Sequence, residues 1–322
     1  MQLANLFLQK IDRKIRIRQK TRVILLNVLL IFFSLIFLLG LLSEKYIKEK
    51  NHKIILNKIQ KTTSTVYLPI IEVEAKSFVV YDIKNNKIIL SKNSRELLPL
   101  ASLTKIQTAY IFANRHDLKE TITIPTLGIN HLYDFTLKKG DIWSVSELIR
   151  LMLTISSNDA AESLARSDTL GRDGFIQLMN AHVRASSSFI FTSPSGLDEG
   201  ETIGGMGSAL DLALLLRDFY QSYPALFETT AKTKISVTIE GKKYSGVPNT
   251  NQEVETYRGV VGSKTGYTDK AGGNLAVIYD IGLGEPVAVV ILGSTKDGRF
   301  EDMKTLISYV NSFHNELLED VK

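Results

Sequence analysis

The chain has 322 residues, enough for one large domain with a sizeable core, and at 44% hydrophobic and 23% charged it is not disordered. It holds no cysteine, which excludes disulfides, thiolate metal sites and a lipid-modified cysteine at a membrane. Residues 1–22 carry a net +6 of the overall +5, leaving −1 for the remainder, so no basic nucleic-acid-binding domain is indicated.

In chain order, the basic tail 1–22 is followed by an apolar run from Val23 to Leu42. At ~1.5 Å rise per residue such a run spans a ~30 Å hydrocarbon core. The basic flank puts the N-terminus in the cytoplasm and everything after Leu42 outside. The run is long for a cleaved signal, and Leu41-Leu42-Ser43-Glu44-Lys45 has no small-x-small character, so it reads as an uncleaved, single-pass signal anchor in the cell membrane. Residues 43–70, rich in Lys, Asn, Gln and Thr, read as a stalk with some helix around Ile54–Ile59. Residues 71–322 read as the folded domain.

In that domain Ser77–Ile83 and Lys87–Ser91 are strand-like, joined at Asn85-Asn86, a pair tolerant of left-handed backbone. Ser102 to about Arg115 is helical. Ser144 and Glu147 form a capping box ahead of LIRLMLTI, and Ser208 and Asp211 form another ahead of a helix to Tyr220. Asp159–Arg166 is a short helix, and Phe189–Gly207 is a loop rich in Gly, Pro and Ser. Val260–Ser263, Asn274–Asp280 and Pro286–Gly293 read as three strands, and Arg299 to about His314 as a closing helix. Strands at both ends with helices between them fit an α+β fold, a sheet domain with an inserted helical subdomain.

Three motifs carry chemistry: Ser102-Leu103-Thr104-Lys105, Ser156-Ser157-Asn158 and Lys264-Thr265-Gly266. A serine hydroxyl is a poor nucleophile until a base takes its proton. On a helix, Lys105 lies one turn after Ser102 on the same face. Lys105 must be neutral to act, and burial with a nearby cation such as Lys264 favours that form. Ser156 offers a hydroxyl to relay a proton to a leaving amine. Asn158 can donate and accept at once, and so can hold Lys105 and a substrate amide. Lys264 and Thr265 suit a substrate carboxylate, and Gly266 lets a backbone approach closely. Singly, each motif has a bland reading: Ser102 as a helix cap, Ser156-Ser157-Asn158 as a turn, and Gly262–Thr265 as a phosphate loop, which Ser263 in place of glycine argues against. The ordered trio favours catalysis.

With their flanks PLASLTKIQTAYIFA, LMLTISSNDAAESLA and GSKTGYTDKAGGNLAV, these motifs resemble the low-molecular-mass penicillin-binding proteins, serine-type D-alanyl-D-alanine carboxypeptidases. The likeness runs from about Ala75 to about Phe313. It implies an antiparallel sheet flanked by helices, with the site between sheet and helical lobe. It implies removal of the terminal D-Ala from peptidoglycan stem pentapeptides through an acyl-enzyme on Ser102, with β-lactams as covalent inhibitors. The oxyanion hole falls to the backbone N–H groups of Ser102 and Tyr267, and Arg299 matches an arginine associated with the terminal carboxylate. Phe191–Asp198 resembles the family's N-P-x-G-L-D loop, with Ser193 in place of Asn. The family's common second β-domain and C-terminal amphipathic anchor are not expected here. A D,D-endopeptidase and a β-lactamase share the trio, with Glu199 and Glu201 as the nearest candidates for a deacylating glutamate. A non-catalytic wall-binding or sensor protein is the alternative of another class. His52, His116, His131, His182 and His314 form no metal-ligand spacing, and neither metal nor organic cofactor is expected.

Overall fold

The computed structural model describes residues 2–63, 71–125, 137–183, 187–282 and 284–319. The last part of the expected stalk, 64–70, and His131 lie outside these. The chain divides into two compact units, Met1–Tyr67 and Leu68–Lys322.

The first unit is one helix, α1 (Gln2–Thr63), running through the basic tail, the apolar run and the start of the stalk. It contains no proline and one glycine, Gly40, so nothing in it forces a break. The stretch Arg22–Asn51 is long and apolar enough, by length and composition, to cross a membrane. The side chains of Val23–Leu42 are exposed all round the helix, an arrangement that water does not favour.

The second unit starts with a hairpin of β1 (Ser77–Asp82) and β2 (Lys87–Lys92), whose turn places Asn86 at φ +55°. A two-residue strand, β3 (Leu98–Pro99), leads into a tight 3₁₀ turn, Ala101–Thr104, continued by α2 (Lys105–Arg115). A short ribbon of β4 (Thr121–Thr123) and β5 (Ile142–Ser144) precedes α3 (Val145–Thr154). Ser144 caps α3 by accepting from the Glu147 N–H, as the capping box requires. Then come α4 (Asn158–Ser167) and α5 (Gly171–Ala181). The loop expected over 189–207 contains two short strands, β6 (Ile190–Phe191) and β7 (Gly205–Gly207); β7 pairs with β3 on one side and with β6 on the other. Ser208 caps α6 (Ala209–Ser222), which is followed by α7 (Pro224–Glu228). A separate hairpin of β8 (Lys234–Ile239) and β9 (Lys242–Pro248) precedes the main strands β10 (Val260–Thr268), β11 (Gly272–Asp280) and β12 (Pro286–Ser294). The chain closes with α8 (Gly298–Glu319).

The main sheet is antiparallel and five-stranded, in the order β10-β11-β12-β1-β2. Both faces are covered, so every residue of β1 is buried, without the half-wet alternation of an open sheet. Phe78 and Val80 pack with Val289, Ile291 and the α8 residues Met303, Leu306 and Val310. Val79 and Tyr81 face the other way, into a core with Leu212, Leu216 and Phe219 of α6 and most of the helical lobe. Burying a side chain of this size is worth about 1.5–3 kcal/mol, which makes this two-sided core the main support of the site. The second unit has the α+β fold expected, with the helical lobe inserted between β3 and β10. One strand lies at the sheet edge beside that lobe, and it is β10.

Candidate active site

The three motifs come from three elements. Ser102 sits in the 3₁₀ turn before α2, where Ala101 is held at φ +50° and Ser102 is half-buried. Lys105 opens α2 and is fully buried. Its Nζ lies 2.9 Å from Ser102 Oγ, 2.7 Å from Asn158 Oδ1 and 2.8 Å from the Ser195 carbonyl oxygen. Asn158 is the first residue of α4, whose cap is its neighbour Ser157. Ser156 precedes them at φ +64° and is half-buried. A non-glycine residue held there is strained, and such strain is stored where neighbours fix the backbone.

The third motif lies within β10. Strand pairing extends five residues past Ser263, where the sequence pattern stops, and carries Lys264, Thr265, Gly266 and Tyr267. Gly266 is the point of closest approach. A Cβ there would stand 2.9 Å from the Leu100 carbonyl oxygen and 3.3 Å from the backbone nitrogens of Ser102 and Leu103. Absence of a side chain therefore lets β10 lie against the Ser102 turn. Lys264 is buried and donates to the Thr265 carbonyl at 2.8 Å. Burial, then repulsion from Lys105 and from Arg299, pushes its pKa well below the ordinary lysine value. Thr265 Oγ1 donates to Thr250 Oγ1 at 2.6 Å. The Tyr267 side chain is exposed, with its hydroxyl 3.2 Å from Asp269 Oδ1.

Arg299, near the start of α8, is not a solvated helix-start charge. It is 7% exposed, and its Nη1 donates to the Gly266 carbonyl at 2.7 Å. Burial lowers its pKa. Its Nε is buried and has no partner among the described residues. A cleft lined by Thr250, Gln252, Glu253 and Phe300 adjoins it.

Two contributors escape a reading of side-chain chemistry. Ser195 meets Lys105 through its carbonyl, and that loop is stapled by Ser193 Oγ to the Ser195 N–H at 3.2 Å. Ser193 thus supplies a turn-forming side-chain oxygen to this loop. Asn274 on β11 is fully buried, donates to the Pro99 carbonyl at 2.9 Å and accepts from the Gly293 N–H at 2.8 Å, tying the sheet to the strand ahead of Ser102. Glu199 and Glu201 are exposed and pair with Arg172 and Lys270.

Over residues 60–296 the chain matches the S11 peptidases, described as D-alanyl-D-alanine carboxypeptidase. The D-alanyl-D-alanine carboxypeptidase DacF of Bacillus subtilis is 27% identical over 250 residues, covering 74% of this chain and 62% of its own. The chain thus spans less than two thirds of that relative. A D-alanyl-D-alanine endopeptidase of Haemophilus influenzae is 31% identical over 211 residues, covering 63% of this chain and 70% of its own. Penicillin-binding protein D2 of Listeria monocytogenes, solved in its ampicillin-bound form, superposes with a TM-score of 0.64 at 28% identity, covering 75% of this chain and 99% of that one.

Proposed function

The chain belongs to the D-alanyl-D-alanine carboxypeptidase family of serine peptidases, and from that premise we propose that it removes the terminal D-Ala from peptidoglycan stem peptides at the outer face of a membrane. The observation that carries this reading is the set of neighbours around Lys105. A neutral amine has two N–H donors and one lone pair. The Asn158 and Ser195 oxygens accept the two N–H groups, which leaves the lone pair for the Ser102 hydroxyl at 2.9 Å. Lys264 is buried in the same site, and burial, then the charges of Lys105 and Arg299, pushes its pKa well below the ordinary lysine value.

Ser102 Oγ attacks the penultimate carbonyl as its proton passes to Lys105. The developing oxyanion lies between the backbone N–H groups of Ser102 and Tyr267, which the bare Cα of Gly266 lets come together. Lys264, the Thr265 hydroxyl and the unpartnered Nε of Arg299 receive the free C-terminal carboxylate. Ser156 passes a proton to the departing D-Ala amine, and water then releases the acyl-enzyme. β-Lactams enter the same path as covalent inhibitors. α1 anchors the protein as a single-pass span with the catalytic unit extracytoplasmic.

Fluorescent penicillin should label the full chain at Ser102, and Ser102→Ala should abolish labelling while leaving the unfolding transition in place. Labelling that persists in this variant overturns the assignment. Product analysis on muropeptides, with pentapeptide and cross-linked dimer side by side, separates carboxypeptidase from endopeptidase, the activity named for the Haemophilus relative. Release of D-Ala from the pentapeptide is expected.

A further inference from the structure

The carboxylate groups and the oxyanion donor fix which way a substrate lies on β10. Its C-terminal carboxylate sits at Thr265 and Arg299, and its reacting carbonyl at the Tyr267 N–H. The residue before the D-alanyl pair must then lie past Tyr267, over the turn from Thr268 to Gly272. β10 is an edge strand beside the helical lobe, so an extended peptide can follow it in that direction.

Three exposed groups meet the chain there. Lys296, between β12 and α8, holds its ammonium 5.4 Å from the centroid of the Tyr267 ring and has no acidic partner among the described residues. Lys270, in the β10–β11 turn, reaches across to the loop beside the Ser102 turn. It donates to the Gly200 carbonyl at 2.9 Å and to Glu201 Oε2 at 3.1 Å. The Glu201 carboxylate is fully exposed, so its hold on Lys270 is weak and a second carboxylate can replace it. Asp269 is the acid of this turn, and its carboxylate is engaged by the Tyr267 hydroxyl.

Resting on the carboxypeptidase reading above, we propose that Tyr267, Lys270 and Lys296 form the subsite for the stem residue preceding the two D-alanines, and that this subsite selects a side chain ending in a carboxylate. The Tyr267 ring supplies the apolar floor for the side-chain stem, and the two ammonium groups receive its end. Glu201 holds Lys270 until the substrate carboxylate displaces it.

The test uses the full chain and three N-acylated peptides, X-D-Ala-D-Ala, in which the side chain of X ends in a carboxylate, the matching primary amide or an amine. kcat/KM should be highest for the carboxylate. Lys296→Gln and Lys270→Gln should each lower the carboxylate-to-amide ratio about tenfold, the size of one charge-assisted hydrogen bond. Glu201→Gln should raise that ratio by freeing Lys270. Equal use of all three peptides overturns the subsite, as does a preference for the amine or a ratio unmoved by the lysine variants. Penicillin labelling of Ser102 reports the core site separately. Hydrolysis of none of the peptides overturns the carboxypeptidase reading, and the subsite with it.

Discussion

Lys264 is a fully buried amine at the site. Its pKa is depressed below the ordinary 10.5 by burial first, then by Lys105 and Arg299. Between the depressed folded value and 10.5, the unfolded chain binds more protons than the folded one, so stability rises with pH through that window. Lys264→Met removes the buried amine and the slope with it. At pH 7 this variant should be more stable by about 1–4 kcal/mol, the range for replacing buried charge with packed apolar volume. The gap should close toward pH 10, and penicillin labelling should fall. Chemical denaturation at a series of pH values checks this, and a gap that does not change with pH means that Lys264 titrates alike in both states. Arg299 gives a second residue-level test. Arg299→Lys keeps a cation but loses the fork that reaches both Gly266 and a carboxylate. It should cut kcat/KM on free-acid D-Ala-D-Ala peptides about ten- to a hundredfold and act far less on C-terminal amides. Equal slowing of both makes Arg299 a structural support for β10.

At the level of elements, the site depends on how closely β10 lies to the Ser102 turn. Gly266→Ala places a methyl 2.9 Å from the Leu100 carbonyl, backbone that cannot swing aside as a side chain would. The strand must back away, and a shift near 1 Å typically costs about a hundredfold in rate. Acylation by penicillin should fall by about that factor, with a far smaller loss of stability; unchanged acylation means the two elements are not in register through this glycine. Asn274→Ala tests the other tie. It strands the Pro99 carbonyl and the Gly293 N–H, and should destabilise the unit by about 1–3 kcal/mol in denaturant titration. These ties mark the limit of what the sequence shows. Ser102, Lys105, Asn158, Lys264 and Gly266 are legible because each motif keeps its chemistry within a few residues. The capped helices α3 and α6 are legible from Ser144 and Ser208 for the same local reason. β10 reads as a strand only to Ser263 because Lys264 breaks the apolar pattern, although it is buried. The lysine-rich β8–β9 hairpin and the α5 helix, with glycines at 171 and 174, show no strong period and are found only in the fold. The Ser195 carbonyl and the Asn274 amide act through long-range contacts that no local spacing records.

For the whole molecule, the charge distribution and the apolar helix bear on the same question. The described catalytic unit has a two-sided core and shows only scattered exposed apolar side chains. Residues 23–42 instead expose a largely apolar surface, interrupted by Asn27 and Ser34. Each leucine or phenylalanine left in water there forgoes about 1.5–3 kcal/mol, a sum that a bilayer recovers. On the anchor reading proposed above, the seven basic residues before Val23 outnumber the lysines that follow, Lys45, Lys48, Lys50, Lys53, Lys58 and Lys61, and so favour keeping the N-terminal segment in the cytoplasm. We therefore predict that protease added to intact spheroplasts degrades the unit from residue 71 onward and leaves the segment before Val23 intact. N-terminal sequencing of the membrane-bound form before protease treatment should find that segment still attached. Protection of the catalytic unit reverses the orientation and removes peptidoglycan from its reach. A mature N-terminus near Ser43 converts the anchor into a cleaved signal, and leaves the same unit outside the membrane but released from it.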